Sequence, residues 1–315
     1  MSMNIFTPHM IVVDPATAVN AVNIDQIDSV AYDAQTQMAL RAATVDTAFA
    51  AVLAQAHRWS VGASALATIL AEASGQILTD AMKIDADGEH PGADIWYKQR
   101  QNLGTFASGS AHTKCTIASG LIVPRTLGVT QGAIASLVLD LLAIWDETND
   151  PVVVAKDQAL SGTPGADEFF TLGPVYLDTT EIEDVQGWNL TSGIAERLRF
   201  GGGRTWPTHV SLVARGPSVT CNVLDVELLQ SLGIVGADKE VTLFLRKLQN
   251  KSKTYADNTS NHIKLVINEA HVGIDAIPAQ FGGDAEPGLV ITPVQDASLN
   301  DIVQVTTGTT ITAPT

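Results

Sequence analysis

The sequence predicts a mainly β protein, built as a β-sandwich or barrel with one α-helix in each of two similar units. Three observations support this fold class. Hydrophobic residues make up 45% of the chain and charged residues only 17%, which is enough apolar material for a sizeable core. Val, Ile and Thr are abundant, and these β-branched residues favour strands. Strand-like stretches bounded by turn residues follow one another in the same order in both halves of the chain.

An internal repeat is the clearest feature of the sequence. SAHTKCTI (110–117) and SNHIKLVI (260–267) share Ser, His, Lys and Ile at the same positions. Four further matches occur in the same order in both halves: MIVVD with PVYLD, residues 52–75 with 212–233, YKQRQN with LRKLQN, and SLVLDLLAIWD with PGLVITPVQD. Collinear matches of this kind indicate a tandem duplication. We therefore expect copy one at 1–150, a linker at 151–171, copy two at 172–300 and a Thr-rich C-terminal tail at 301–315.

Six strands are predicted in each copy, in a shared order. Those of copy one are 10–14, 20–32, 45–62, 94–101, 111–118 and 134–145. Those of copy two are 174–178, 184–199, 208–223, 240–249, 261–268 and 287–295. A flexible hairpin tip separates the second strand from the third, at 33–44 in copy one and 200–207 in copy two. The polar tail that ends in TTGTTITAPT could add one more edge strand.

One helix follows the third strand of each copy, at 65–73 and 225–232. Asp225 suits the N-cap, because its side chain can accept a free backbone N–H. Gly233 suits the position after the helix, where a left-handed conformation costs glycine little.

The Ala-rich stretch 38–57 has an ambiguous local pattern. By composition it could form a helix. Its counterpart, 208–223, alternates with period two and contains Pro, which is typical of a strand. Because two copies of one domain share a fold, we predict strand for most of 45–62.

The charge balance limits the functions that the chain can have. The net charge is −16, from 18 Lys and Arg against 34 Asp and Glu, and it is spread over both halves. Tight binding to a nucleic-acid backbone needs clustered Lys and Arg, which the sequence lacks. The N-terminus has no signal-peptide pattern, and the longest apolar run, 132–145, is too short to span a bilayer. We expect a protein made in the cytoplasm.

Motifs with catalytic or metal-binding spacing are not found, so we expect no enzyme, no cofactor and no metal. Cys115 and Cys221 are too far apart for a metal-type pair and suit small buried positions. GGGR (201–204) lacks the Lys of a phosphate-binding loop and suits a hairpin tip. DADGEHPGAD (85–94) departs from the EF-hand pattern, which leaves a solvated loop or an irregular calcium site. TTEIED (179–184) suits an acidic turn.

The repeated frame Ser-x-His-x-Lys places His112 and His262 at matching positions. On a strand, side chains at alternate positions lie on one face. A catalytic His would need a nucleophile or carboxylate partner and would seldom be needed twice. We therefore expect a polar face at a surface or subunit contact.

Three stretches resemble the bacteriophage tail tube (major tail) protein family. PVYLDTTEIEDVQGWNL is similar to its opening strand pair, TWPTHVSLVARGPSVTCNVLDVELLQSLG to its strand followed by a single helix, and PGLVITPVQD to its closing strand. The resemblance covers 172–298 and extends more weakly over copy one. There Gln55, Ala56 and His57 replace Arg215, Gly216 and Pro217.

The resemblance implies an assembly and a function. Tail tube domains usually form rings of six, whose inner strands join into a barrel around a lumen, and the rings stack into a tube. A chain with two such domains would form a trimeric ring with pseudo-sixfold symmetry, in the tail of a virion. Its partners would be further copies of itself and other tail proteins at the tube ends. Genomic DNA would pass through the lumen without specific binding, which an acidic surface favours.

Contacts between subunits or rings are expected at the hairpin tips. Arg and Trp are common interface anchors. The candidate contact residues are Gly201, Gly202, Gly203, Arg204, Trp206, His112 and His262. The alternatives are another virion β protein (tail terminator, baseplate ring or capsid decoration protein), the tube of a contractile injection device, or a carbohydrate-binding β-sandwich module or enzyme.

Overall fold

The computed structural model describes residues 5–13, 22–24, 26–43, 46–64, 66–71, 78, 81–84, 92–100, 112–160, 169–224, 236–248, 256–274, 288–295 and 302–314. Within these residues the chain is mainly β, as the sequence predicts, and its sheets are antiparallel.

The first half of the chain, which we call half one, contains twelve of the described strands and the helix. The strands are β1 (Ile5–Val13), β2 (Val22–Ile24), β3 (Ile27–Asp33), β4 (Gln37–Ala43), β5 (Asp46–Ala54), β6 (Arg58–Ala63), β7 (Met82–Ile84), β8 (Ala93–Arg100), β9 (His112–Ile117), β10 (Gly120–Thr130), β11 (Ser136–Ala143) and β12 (Val152–Gln158). The helix α1 (Leu66–Ala71) follows β6.

The second half, which we call half two, contains the remaining described strands. They are β13 (Phe170–Leu177), β14 (Thr180–Ile182), β15 (Val185–Thr191), β16 (Ala195–Phe200), β17 (Pro207–Ala214), β18 (Ser218–Val223), β19 (Gly236–Lys247), β20 (His262–Ile274), β21 (Gly288–Pro293) and β22 (Gln304–Thr309).

The strands form two large sheets and two separate hairpins. One sheet has the order β12-β9-β8-β1-β2. The longer sheet has the order β14-β13-β19-β20-β21-β18-β15-β10-β11-β6-β3, with β22 beside β20 and β7 beside β10. β4 pairs with β5 and β16 with β17, each as an isolated hairpin. One hydrophobic core contains side chains from both large sheets and from α1.

The strand pairing of half one is repeated in half two. β1 lies between β2 and β8, as β13 lies between β14 and β19, and β3 pairs with β6 as β15 pairs with β18. β9 and β10 together correspond to the single strand β20, and β12 corresponds to β22. Register irregularities recur at matching places, such as Ile27/Ser29 and Val185/Gly187.

Several predicted boundaries differ from the structure. β4 lies at 37–43, inside the stretch predicted to be a flexible tip, and the second strand of copy two is divided into β15 and β16. The proposed linker contains β12, and the proposed tail contains β22, which pairs with β20. Strand is confirmed over most of 45–62. α1 confirms the helix of copy one, whereas the helix predicted at 225–232 lies outside the described residues.

β12 was missed because it is short and half-exposed, so its sequence carries little hydrophobic pattern. β22 lies in the Thr-rich tail, where one more edge strand was expected. β12 reads VVVAKDQ and β22 reads QVTTGT. Each is held by backbone pairing to a neighbouring strand, β9 or β20. An edge strand of this kind is fixed by its partner more than by its own composition.

Candidate functional site

The two halves meet through paired strands, at a place that we call the internal junction. β10 of half one pairs with β15 of half two from Thr126↔Thr191 to Thr130↔Gly187. Two further backbone bonds extend this edge, because the N–H of Ser192 donates to Arg125 O (3.0 Å) and the N–H of Gln131 donates to Gln186 O (2.7 Å). The junction therefore joins strands of both halves into one continuous sheet.

A cluster of four charged side chains lies at one end of the internal junction. Asp140 on β11 accepts hydrogen bonds from Arg58 and Arg125, and Arg125 also donates to Glu196 on β16. Arg125 Nη1 donates to the backbone oxygen of Ile194 as well (2.8 Å). The Asp140 side chain is 3% exposed and that of Glu196 is 12% exposed. Three members belong to half one and Glu196 to half two, so the cluster ties the halves together.

Mutual stabilisation keeps Asp140 and Arg125 of this cluster charged. Burial opposes ionisation of Asp140, but the hydrogen bonds from Arg58 and Arg125 outweigh it, so the pKa of the carboxyl lies below its ordinary value. Burial likewise opposes the charge on Arg125, but hydrogen bonds to Glu196 and Asp140 leave its pKa raised. Neither group is expected to titrate near neutral pH, so the cluster acts as a permanent structural link.

The hairpin β16–β17 of half two packs against half one. Ile194 and the partly buried Val210 contact a small core of Leu121, Val123 and Leu142 on the face of β10 and β11. The N–H of Gln55 donates to Thr205 O (2.7 Å), and the N–H of Trp145 donates to Pro207 O (2.8 Å). These contacts place the tip of the hairpin on the neighbouring half.

The predicted contact residues at this tip are found where the hairpin turns. Gly202 and Gly203 have positive φ angles of 62° and 70°, which glycine adopts readily. The guanidinium carbon of Arg204 lies 4.2 Å from the ring centroid of Trp145, which is a cation–π contact with half one. Trp206 is half-buried, and Gly201 accepts the N–H of Arg204 (3.1 Å). The tip thus contacts the other half of its own chain.

His112 and His262 do not lie on an exposed polar face, so that expectation is wrong. They are 1% and 0% exposed. Nδ1 of His112 accepts the backbone N–H of Gln99 (3.1 Å), and Nδ1 of His262 accepts that of Lys247 (3.0 Å). Each histidine thus bonds a backbone amide of the adjacent strand, and His262 Nε2 also lies 2.9 Å from the backbone oxygen of Ala256. Both side chains are covered by other residues of the same chain.

The edge of β3 is an open counterpart of the internal junction. β3 corresponds to β15, and among the described strands it pairs with β6 alone, whereas β15 pairs with both β18 and β10. Tyr32 on β3 is 51% exposed, while its counterpart Leu190 is 1% exposed. Met38 on β4 is 55% exposed, while the side chain of its counterpart Glu196 is 12% exposed. We call the unpaired edge of β3, together with the exposed side chains of Tyr32 and Met38, the open edge.

The part of half two that corresponds to the face beneath β16–β17 is more polar. By the register of β20 with β21, His271, Gly273 and Thr292 correspond to Leu121, Val123 and Leu142. His271 and Thr292 are exposed. The stretch 276–280, which corresponds to the end of β10 that pairs with β15, lies outside the described residues.

The described residues contain no cluster of three or more His, Cys, Asp or Glu with the geometry of a metal site. Most of the acidic stretch 85–94 lies outside those residues. Glu181, Glu183 and Asp184, the acids of TTEIED, are exposed at β14 and the turn after it. No helix in the described part of the chain is long and apolar enough to cross a membrane.

Comparison with known proteins finds no family model and no curated protein that matches the chain.

Sequence reasoning missed the charged cluster at the junction. Arg58, Arg125 and Glu196 stand in otherwise ordinary contexts. Asp140 carried a usable signal, because it interrupts the most apolar run of the chain and a buried carboxylate requires partners. The sequence gives no indication of which cations would supply them, since these lie 82 and 15 residues away.

Proposed function

We propose that this chain is the subunit of a bacteriophage tail tube, in which it supplies two tandem tail-tube-like domains to each ring. The observation that carries the proposal is the internal junction together with the open edge. Half two extends the sheet of half one through β15 and β10, and half one exposes the corresponding strand, β3. A second molecule could extend the sheet at that edge in the same manner.

A contact between two different surfaces of one molecule propagates from copy to copy. It closes into a ring when the rotation per step divides a full turn, and it otherwise forms an open helix. Sheet closure also removes exposed strand edges, which favours a closed ring. The tail tube resemblance suggests six domain positions, which three chains of this kind would fill.

The charge of the chain suits the passage of DNA. Phosphate groups are repelled by an acidic wall, so DNA would slide along the lumen without sticking to it. The net charge of −16 per chain would give a three-chain ring about −48 in total, by 3 × −16. No enzymatic step and no cofactor is part of the proposal. The remaining partners would be tail proteins at the ends of the tube.

Electron microscopy of the purified chain, with solution mass measured on the same sample, tests the proposal. We expect tubes, or rings of three chains with a central hole, at high protein concentration or after addition of tail tip complexes as initiators. Closed rings that never stack would favour a tail terminator or baseplate ring instead. A chain that stays monomeric under both conditions would contradict self-assembly.

A further inference from the structure

An apolar groove opens beside the open edge of half one. Its volume is about 370 Å³. The side chains that matter for its shape are Tyr32, Trp59, Tyr97, Cys115, Val152 and Val154. Val154 is 56% exposed and Tyr32 is 51% exposed, so the groove presents apolar surface to solvent on two sides.

The corresponding region of half two is closed. The strand registers match the groove residues with Leu190, Val219, Leu245, Leu265, Val303 and Val305. The first five of these are at most 1% exposed, and Val305 is packed against the main core. The same backbone arrangement is thus covered in half two and uncovered in half one.

The cover of half two comes from half one. α1 lies against β22, the strand that carries Val305 and follows Val303. Leu66, Ile69 and Leu70 of α1 are each at most 1% exposed and belong to the same core as Val303. A helix from the adjacent half therefore closes this position, as part of the contact between the halves.

We infer that the groove receives half two of another copy of this chain. The inference rests on the proposed self-assembly and assigns the groove to the contact between copies. Each molecule then covers its neighbour as half one covers half two within the chain.

Continuity with the open edge favours this occupant over a small apolar ligand. Tyr32 belongs to both surfaces, because it lies on β3 and lines the groove. A chain that pairs with β3 therefore approaches the groove as well. Within the molecule, the β10–β15 pairing and the contact of α1 with β22 also occur together. One incoming molecule would bury both surfaces in a single step.

Labelling of Cys115 with a maleimide in the full natural chain tests the inference, because this free, half-buried thiol lies in the groove. We expect the unassembled chain to be labelled at a measurable rate and labelling in rings to be at least tenfold slower. Rings in which Cys115 reacts at the unassembled rate would overturn the inference and leave the proposed function standing. Protection of Cys115 before assembly would also overturn it. Failure to form any ring would contradict the proposed function itself.

Discussion

The internal junction and the open edge have the same strand geometry but different chemistry. Inside the chain, the hairpin of half two rests on Leu121, Val123 and Leu142 and is tied down by the charged cluster around Asp140. On the face of half two, the residues that correspond to these three apolar side chains are His271, Gly273 and Thr292. At the open edge of half one, Met38 occupies the position that corresponds to Glu196. The internal junction resembles a protein core, and the external surface is of mixed polarity.

The proposed assembly explains this difference by the time at which each contact forms. The internal junction forms as the chain folds, so its apolar side chains are covered from then on. In the proposal, the open edge and the polar face of half two would stay in solvent until another molecule binds. Permanent interfaces are accordingly more apolar than those between independently stable partners. We therefore expect the internal junction to be the stronger of the two.

Removal of the carboxylate at the centre of the internal junction should have the largest effect on stability. Asp140→Asn removes the buried negative charge that lies between Arg58 and Arg125, which we expect to lower the free energy of unfolding by about 3 kcal/mol. Urea denaturation measures this loss. Asp257→Asn is the control, because Asp257 pairs with Arg246 at the surface and its side chain is 51% exposed. A change at Asp140 no greater than that at Asp257 would show that the cluster does not hold the junction.

A charge placed on the open edge should block assembly and leave the folded chain intact. Met38→Asp would bury an unpaired charge in the contact between molecules, so we expect at least tenfold weaker assembly, which is about 1.4 kcal/mol or more per contact. Sedimentation velocity measures the assembled fraction.

Leu53→Asp provides the matched control for that experiment. Leu53 is 60% exposed, and its counterpart Val213 remains 65% exposed although its hairpin already rests on half one. The proposed ring therefore leaves Leu53 in solvent, and assembly of this variant should be unchanged. Equal loss in both variants would mean that the two hairpins do not pack in the same way.

The two buried histidines allow a comparison of the halves themselves. His112→Ala leaves the N–H of Gln99 without its acceptor, and His262→Ala does the same to Lys247, so each should cost about 1–3 kcal/mol. Thermal unfolding of the two single variants measures whether matching positions contribute equally. A loss at only one of them would show that the repeat in geometry is not a repeat in energetics.

We expect the free energy of unfolding to fall in mild acid, in part because of His112. Burial and the nearby Lys98 lower its pKa, and burial lowers that of His57. A group with a lowered folded-state pKa contributes stability above its unfolded pKa, which is about 6.5 for His, and that stability is lost as pH falls below it. Unfolding at pH 7.5 and 5.5 should show a smaller difference for His112→Ala than for the natural chain. An equal difference in the natural chain and in His112→Ala would show that groups other than His112 cause the acid sensitivity.

The smallest expected effect lies at the hairpin tip. Arg204→Ala removes the cation–π contact with Trp145, which should cost about 0.5–1 kcal/mol. A double-mutant cycle with Trp145→Leu isolates the interaction from other effects of each substitution. A coupling energy of zero would mean that the tip is held by its backbone bonds to Gln55 and Trp145 alone.

Much of the strand order could be predicted because each element has a counterpart in the other half, whose sequence could be compared with it. The Ala-rich stretch that forms β5 has a helical composition, and only its counterpart β17 indicated a strand. β10 was missed, although residues 120–130 are largely apolar, and the matching residues of half two were missed as well, since the strand predicted at 261–268 continues to Ile274. The repeat thus helped where the sequence of one copy indicated a strand, and it failed where neither copy was interpreted as one.

The contact surfaces were predicted less well than the strands. Ser-x-His-x-Lys suggested a polar face, but a buried His that accepts a backbone N–H has the same sequence pattern as an exposed one. The tip at 200–207 contacts the other half of its own chain, and its expected contact with another molecule stays a prediction. In a chain whose two halves repeat one strand pairing, sequence alone does not distinguish a contact between halves from a contact between molecules.

The pairing of β10 with β15 has a consequence for the numbers that an assembly can adopt. In the proposed ring, each molecule would bring two domain positions that are already joined to each other through this pairing. Positions would therefore be added in pairs, and five or seven positions could not occur without a half left over. The covalent chain would thus exclude errors by a single position, which a chain with one domain must avoid through the curvature of its contacts alone.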